Sequence, residues 1–333
     1  NATITGASFA ATTSTGFTKE QFYSTHSYQS GELAGVNLGG ELIQWDLAGK
    51  NLAGSSFEDA VLNQVNLSNS DLTGANFGGV SATGIDMSNA TLVEADIRGT
   101  LTDTSFGGAD MTGAAFGGDY LGSDFSNSII RNAAITLISD YSWAYENNMT
   151  HEQFMSTASY QVGDLMGIQF SGDLSGLNFS GMDLSDARLD APNLTATDFT
   201  DAIIRGAYLR GRTSSPEVHG MSEAQFYSTA SYKRGDIRDI IMASSDLVGW
   251  DLAGQDMSGA DLKGSNLMWA DLAGATVRGV NFDGTGLTEA QLYSTASYAD
   301  KNLAEIVFDV NVAGWDLHGQ DIRGGSIGDY LVG

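Results

Sequence analysis

Between residues 46 and 77 the chain reads DLAGK NLAGS SFEDA VLNQV NLSNS DLTGA NF, with an apolar residue at every fifth position: Leu47, Leu52, Phe57, Leu62, Leu67, Leu72 and Phe77. The beat continues through Met87, Leu92 and Ile97. It resumes from Phe179 through Leu184, Leu189, Leu194, Phe199, Ile204 and Leu209, and again from Leu247 to Phe282. A period of five suits neither regular element. Five steps of an α-helix turn about 500°, so the apolar residues would wander around the cylinder. On a flat strand an odd period sends every second one into solvent. A chain that turns a corner every five residues keeps them all inside. Four such corners close a coil of about 20 residues, and coils stack about 4.8 Å apart through strand-type hydrogen bonds. The other positions fit this path. A small residue precedes each centre by two (Ala60, Ser70, Ala75, Ala90, Ala95, Ala187, Ala260), Asp or Asn by one, and Gly often follows by two. Corners favour such residues: Gly for positive φ, Asn and Asp for bonds to the local backbone. Phe57 is therefore expected to stack on Phe77, and Leu52 on Leu72 on Leu92.

The segments SDLTGANF (70–77), ADLKGSNL (260–267) and ADLAGATV (270–277) resemble the pentapeptide-repeat proteins. That resemblance covers most of the chain and implies an all-β solenoid, a right-handed quadrilateral β-helix. It says little about function, because one such scaffold hosts several unrelated roles.

Four segments interrupt the beat: GFTKEQFYSTHSY (16–28), NMTHEQFMSTASY (148–160), GMSEAQFYSTASY (220–232) and GLTEAQLYSTASY (286–298). Each predicts a short α-helix. Thr18, Thr150, Ser222 and Thr288 stand at N-caps with Gln21, Gln153, Gln225 and Gln291 three residues on, which is a capping box. Phe17 with Phe22, Met149 with Phe154, Met221 with Phe226 and Leu287 with Leu292 have the spacing of a hydrophobic staple. Helices this short are marginal alone, so each must dock, with Phe22, Tyr23, Tyr28 and their counterparts as the docking face. The spacing between inserts predicts that the helices recur on one side of the coil. The inserts divide a continuous solenoid into a leading partial coil (1–16), a long block (17–148), and modules 149–220, 221–286 and 287–333. Trp45, Trp250 and Trp315 precede a centre by two, where the repeat calls for a small residue, so each helix junction must widen the coil; the second module has Leu177 there. The STASY inserts followed by GWDLAG (249–254) and GWDLHG (314–319) also resemble a bacterial subset of the family predicted to be exported, which implies an extracellular or cell-surface location.

The full chain has 333 residues, 41 acidic against 15 basic, for a formal net charge of -26. Phosphates would repel it, which argues against nucleic acid and anionic lipid as partners, and its apolar runs are too short for membrane insertion. Without Cys there are no disulfides or thiolate metal sites. His26, His151, His219 and His318 are scattered with no ligand partner at usable spacing, so neither a metal nor a catalytic site is expected. The many Asp residues sit at corners where turn chemistry explains them, and could hold divalent cations only weakly. No phosphate-binding loop is present. The expectation is a protein without catalytic residues, cofactor or structural metal.

Two roles follow. In one, the chain is an exported structural block that adds copies of itself head to tail, since a bare terminal coil presents unpaired ladder groups. Ile4 and Phe9 at one end, Ile327, Tyr330 and Leu331 at the other, and the outward-facing Trp269 are the expected assembly contacts. In the other, the acidic solenoid mimics duplex DNA and binds a topoisomerase, as some members of the family are understood to do.

Overall fold

The structure is a computed structural model that describes residues 2–10, 16–138, 148–189, 193–209, 220–310 and 312–327. Every beat residue from Leu47 to Phe77 is buried, as are the small residues Ala60, Ser70 and Ala75 beside them. Parallel bridges link successive coils in long rows, one running Glu32, Asn51, Asp71, Thr91, Asp110, Ile129. The rungs of that row are 19 or 20 residues apart, so one coil takes four repeats, and the shorter coils lack one residue. Phe57 and Phe77 stack with centroids 4.7 Å apart and planes 4° from parallel.

Little of this ladder is long strand. Most rungs are single bridged residues, because the chain turns again before a second can form. In the first unit, Glu41–Ile43, Val61–Asn63, Ser81–Thr83 and Thr100–Thr102 form one parallel sheet. The corners use the left-handed conformation: Gly54 and Gly74 have φ 64° and 63°, and Asn69 and Glu94 both have φ 57°. The Asp or Asn before each centre closes the same corner. Asp71 Oδ1, for example, accepts the N–H of Thr73 at 3.0 Å.

The chain forms two compact units, Asn1–Asp173 and Leu174–Gly333. Each expected helix is a pair. In the first unit α1 is Lys19–Tyr23 and α2 is His26–Ser30, while α3 is His151–Ser156 and α4 is Ala158–Val162. In the second unit α5 is Glu223–Ser228 and α6 is Ala230–Lys233, with α7 Glu289–Ser294 and α8 Ala296–Ala299. All four capping boxes form. The break comes at Thr25, Thr157, Thr229 and Thr295. Each hydroxyl donates back to the carbonyl of Phe22, Phe154, Phe226 or Leu292. Each also accepts the N–H of the Tyr three residues on, capping the second helix. Among the described residues no helix is long and apolar enough to cross a membrane.

Candidate functional site

The helix pairs are the feature that sets this chain apart from a plain coil, and they are joined to it in one repeated way. In an uninterrupted coil the N–H of each centre donates to a carbonyl of the next coil, as Leu33 does to Asn51 at 2.9 Å. Where a helix pair intervenes, the next coil arrives late and that N–H would be orphaned. Ser27, Ser159, Ser231 and Ser297 fill the gap: their Oγ atoms accept the N–H of Ile4, Ile130, Ile204 and Val277 at 3.0, 3.0, 3.0 and 2.8 Å. The carbonyls of Ala2, Ser128, Ala202 and Ala275 are taken by the first N–H of the second helix, from His26, Ala158, Ala230 and Ala296 at 2.8–2.9 Å. That N–H is free because the first turn of a helix has no internal acceptor. The second helix is thus a splice that carries the ladder across the interruption. Within the first unit both splices fall on one column, Ile4 lying over Leu33 and Ile130 ending the run from it. Within the second unit Ile204, Ile237, Met257 and Val277 likewise share a column. The helix pairs of each unit therefore project from one side, as their spacing predicted.

The capping Gln does two jobs. While Oε1 closes the box, the Nε2 of Gln153 donates to Tyr120 and Ser123 carbonyls at 2.8 and 3.0 Å, pinning the helix to a corner of the preceding coil. Gln225 grips Leu194 and Thr197, and Gln291 grips Leu267 and Ala270, in the same way.

On the other side a tyrosine pair holds the following coil. The N–H of Asp46 donates to Tyr23 Oη at 2.5 Å, and Tyr28 Oη–H donates to the Asp46 carbonyl at 2.9 Å. Tyr227 and Tyr232 clasp Asp251, and Tyr293 and Tyr298 clasp Asp316. Each pair of rings stacks at 4.2–4.4 Å. The Trp before each clasped Asp follows from this: Trp45 packs 5.0 Å from Phe22 and Trp250 5.2 Å from Phe226, both buried. The second module changes all three letters together, with Met155 for the first Tyr, Leu177 for the Trp and Asn178 for the Asp. Where a helix pair begins, the surface opens into a groove. One in the second unit has about 920 Å³ and is walled by Leu194–Asp198, Met221, Gln225, Met242 and Trp250. Its counterpart in the first unit, beside Leu121 and Gln153, has about 480 Å³.

The model of pentapeptide repeats matches in 8 copies, over residues 46–79, 70–100, 173–211, 242–274 and 265–296. Over these residues the chain carries the repeats of the pentapeptide-repeat proteins. Such proteins form right-handed β-helices and are generally non-enzymatic structural or binding proteins. A pentapeptide-repeat protein from the Arabidopsis thaliana thylakoid lumen is 29% identical over 27% of this chain and 63% of its own, with a TM-score of 0.26. This chain thus spans under two thirds of that protein. HetL, involved in heterocyst differentiation regulation in the cyanobacterium Nostoc sp. strain PCC 7120, is 20% identical over 72% of this chain and 89% of its own, TM-score 0.24. QnrB1, a plasmid-mediated fluoroquinolone resistance protein, is 12% identical over 88% and 93%, TM-score 0.16. No curated protein matches.

The scaffold places the expected contact residues unevenly. Ile4 is buried, with its N–H on Ser27, so it is not a surface residue. Phe9 is half-buried against Phe17 and Phe22, with centroids at 4.9 and 5.6 Å. Ile327 is half-buried and bridged to Phe308. Tyr330 and Leu331 lie outside the described residues. Trp269 faces out as expected, 77% exposed beside Met268, in a left-handed corner with φ 62°. Among the described residues no group of His, Asp and Glu has the arrangement of a metal site. The splice serines and the double role of Gln were missed in the sequence, although the recurring Ser two residues after each second-helix Thr was a signal for the serines.

Proposed function

We propose that this protein is a non-enzymatic structural block that associates end to end through its β-solenoid. The observation that supports this best is the parallel ladder, which repeats the same bridge every 19 or 20 residues through coil after coil. A coil from a second copy would add to it by the same bonds. Such a contact is heterologous, and one that does not close propagates. On this reading each coil is quadrilateral in section, the helix pairs are inserts spliced at one corner, and Trp269 is an auxiliary contact on the flank. The likeness of the STASY inserts to an exported bacterial subset supports a location at the cell surface or outside the cell. Sedimentation velocity across a concentration series tests the proposal: growing species support it, and a single species at every concentration ends it.

The charge of -26 favours a second reading, an acidic mimic of duplex DNA that binds a topoisomerase and inhibits or protects it. A supercoiling assay in which the protein neither inhibits nor protects the enzyme would remove that alternative.

A further inference from the structure

The grooves at the helix starts have a chemistry that the structural role does not use. In the second unit the floor is apolar, with Leu194, Leu209, Met221, Met242, Leu247 and Trp250 all buried in their own coils while facing the opening. Asp198 and Asp246 stand on the wall, and among the described residues no basic one lines it. The smaller groove of the first unit is also lined by Phe125 and Ile138, with Asp124 and Glu152 on its wall and no basic lining residue among the described ones. Two independent sites thus combine an apolar floor with an acidic rim. Gln225, hydrogen-bonded to Leu194 and Thr197, fixes one wall. A volume of about 920 Å³ falls within the roughly 300–1,000 Å³ typical of small-molecule sites.

We propose that the groove of the second unit binds a hydrophobic cation, a small molecule with an apolar body and an ammonium end. The body would cover the Met221, Met242 and Trp250 surface, removing apolar area from water. The ammonium would sit against Asp198 and Asp246. The Asp198 carboxyl is held below the usual carboxylate range by its bonds from the Thr200 hydroxyl and N–H, so it stays charged at neutral pH. An anionic amphiphile of the same length would meet both carboxylates and the net negative charge of the chain. This discrimination separates a built site from general greasiness.

The test is calorimetric titration of the whole chain with dodecyltrimethylammonium, kept below its micelle concentration, with dodecyl sulfate as the matched anion. One saturable site for the cation is expected, with no comparable binding of the anion. Asp198→Asn with Asp246→Asn should weaken the cation about tenfold or more. Thr195→Trp, at an exposed rim position, or Ser245→Phe should abolish the site while leaving the circular dichroism unchanged. Two fillers are used so that failure of one to fold leaves the other as the test. Equal binding of the anion, many weak sites, no binding at all, or binding indifferent to the rim and filler substitutions would each overturn the proposal.

Discussion

Ser231 shows how much of this fold is decided by single atoms. Its Oγ accepts the N–H of Ile204 at 3.0 Å in a buried setting, where the uninterrupted coil would supply a carbonyl. Ser231→Ala removes the acceptor and leaves a buried donor, which costs about 1–3 kcal/mol. Urea unfolding should show that loss as a lower midpoint at unchanged slope; an unaltered midpoint would mean that water replaces the hydroxyl. Trp269 makes the opposite case. A left-handed backbone costs an L-residue about 1–2 kcal/mol, while glycine at a compatible site loses about 0.4–1 kcal/mol through its freer unfolded chain. Because Trp269 is 77% exposed, little packing is forfeited. Trp269→Gly should therefore stabilise the protein, by up to about 1 kcal/mol, in the same unfolding assay. A loss of stability instead would show that the indole packs on its surroundings despite its exposure. The beat residues and the small residues beside them were legible in the sequence because a five-residue period admits only one kind of path. The splice serines were not, because their partners lie 20 to 29 residues away and no local pattern encodes that distance.

At the scale of elements, the helix pair α5–α6 is a coupling device with three grips. The capping Gln holds the coil before, the Thr-capped second helix carries the ladder across, and the two tyrosines hold the coil after. The four capping boxes were readable because both partners lie within one turn. The break into two helices was less so, because Thr25 and its equivalents cap a helix of four or five residues that has no Glu or Gln at its third position. Tyr28 gives this element a pH signature. Burial, with the neighbouring Tyr23 and Asp46, pushes its hydroxyl up to about 12 from an ordinary value of 10.0. A group whose folded pKa is raised contributes stability that is fully present below its unfolded pKa and is lost as pH climbs toward the folded one. Unfolding midpoints should therefore hold to about pH 10 and fall between there and about pH 12, and Tyr28→Phe should flatten part of that fall. An identical alkaline profile in the variant would show that the tyrosine clasp is not coupled to folding.

At the scale of the molecule, two long-range tendencies oppose each other. A parallel ladder has no intrinsic stopping point, because each coil is bridged to the next in the same way. Against this, 41 acidic residues face 15 basic ones, so approaching copies repel. The repulsion is screened over a Debye length of about 30 Å at 0.01 M salt and about 10 Å at 0.1 M. Contact between coils is made at a few ångströms and is far less sensitive to ions. Raising the salt should therefore shift sedimentation toward larger species, with sodium chloride sufficing and divalent cations acting at lower concentration. Ile322→Lys changes a residue already 38% exposed, so it should leave the single molecule folded while placing a charge that a second copy would have to bury unpaired, which is strongly unfavourable. The variant should stay monomeric across the salt range in which the parent grows. If parent and variant associate alike, assembly does not run through this end of the column, and flank contacts such as Trp269 become the surface to alter next. If neither associates at any salt, the end-to-end proposal fails.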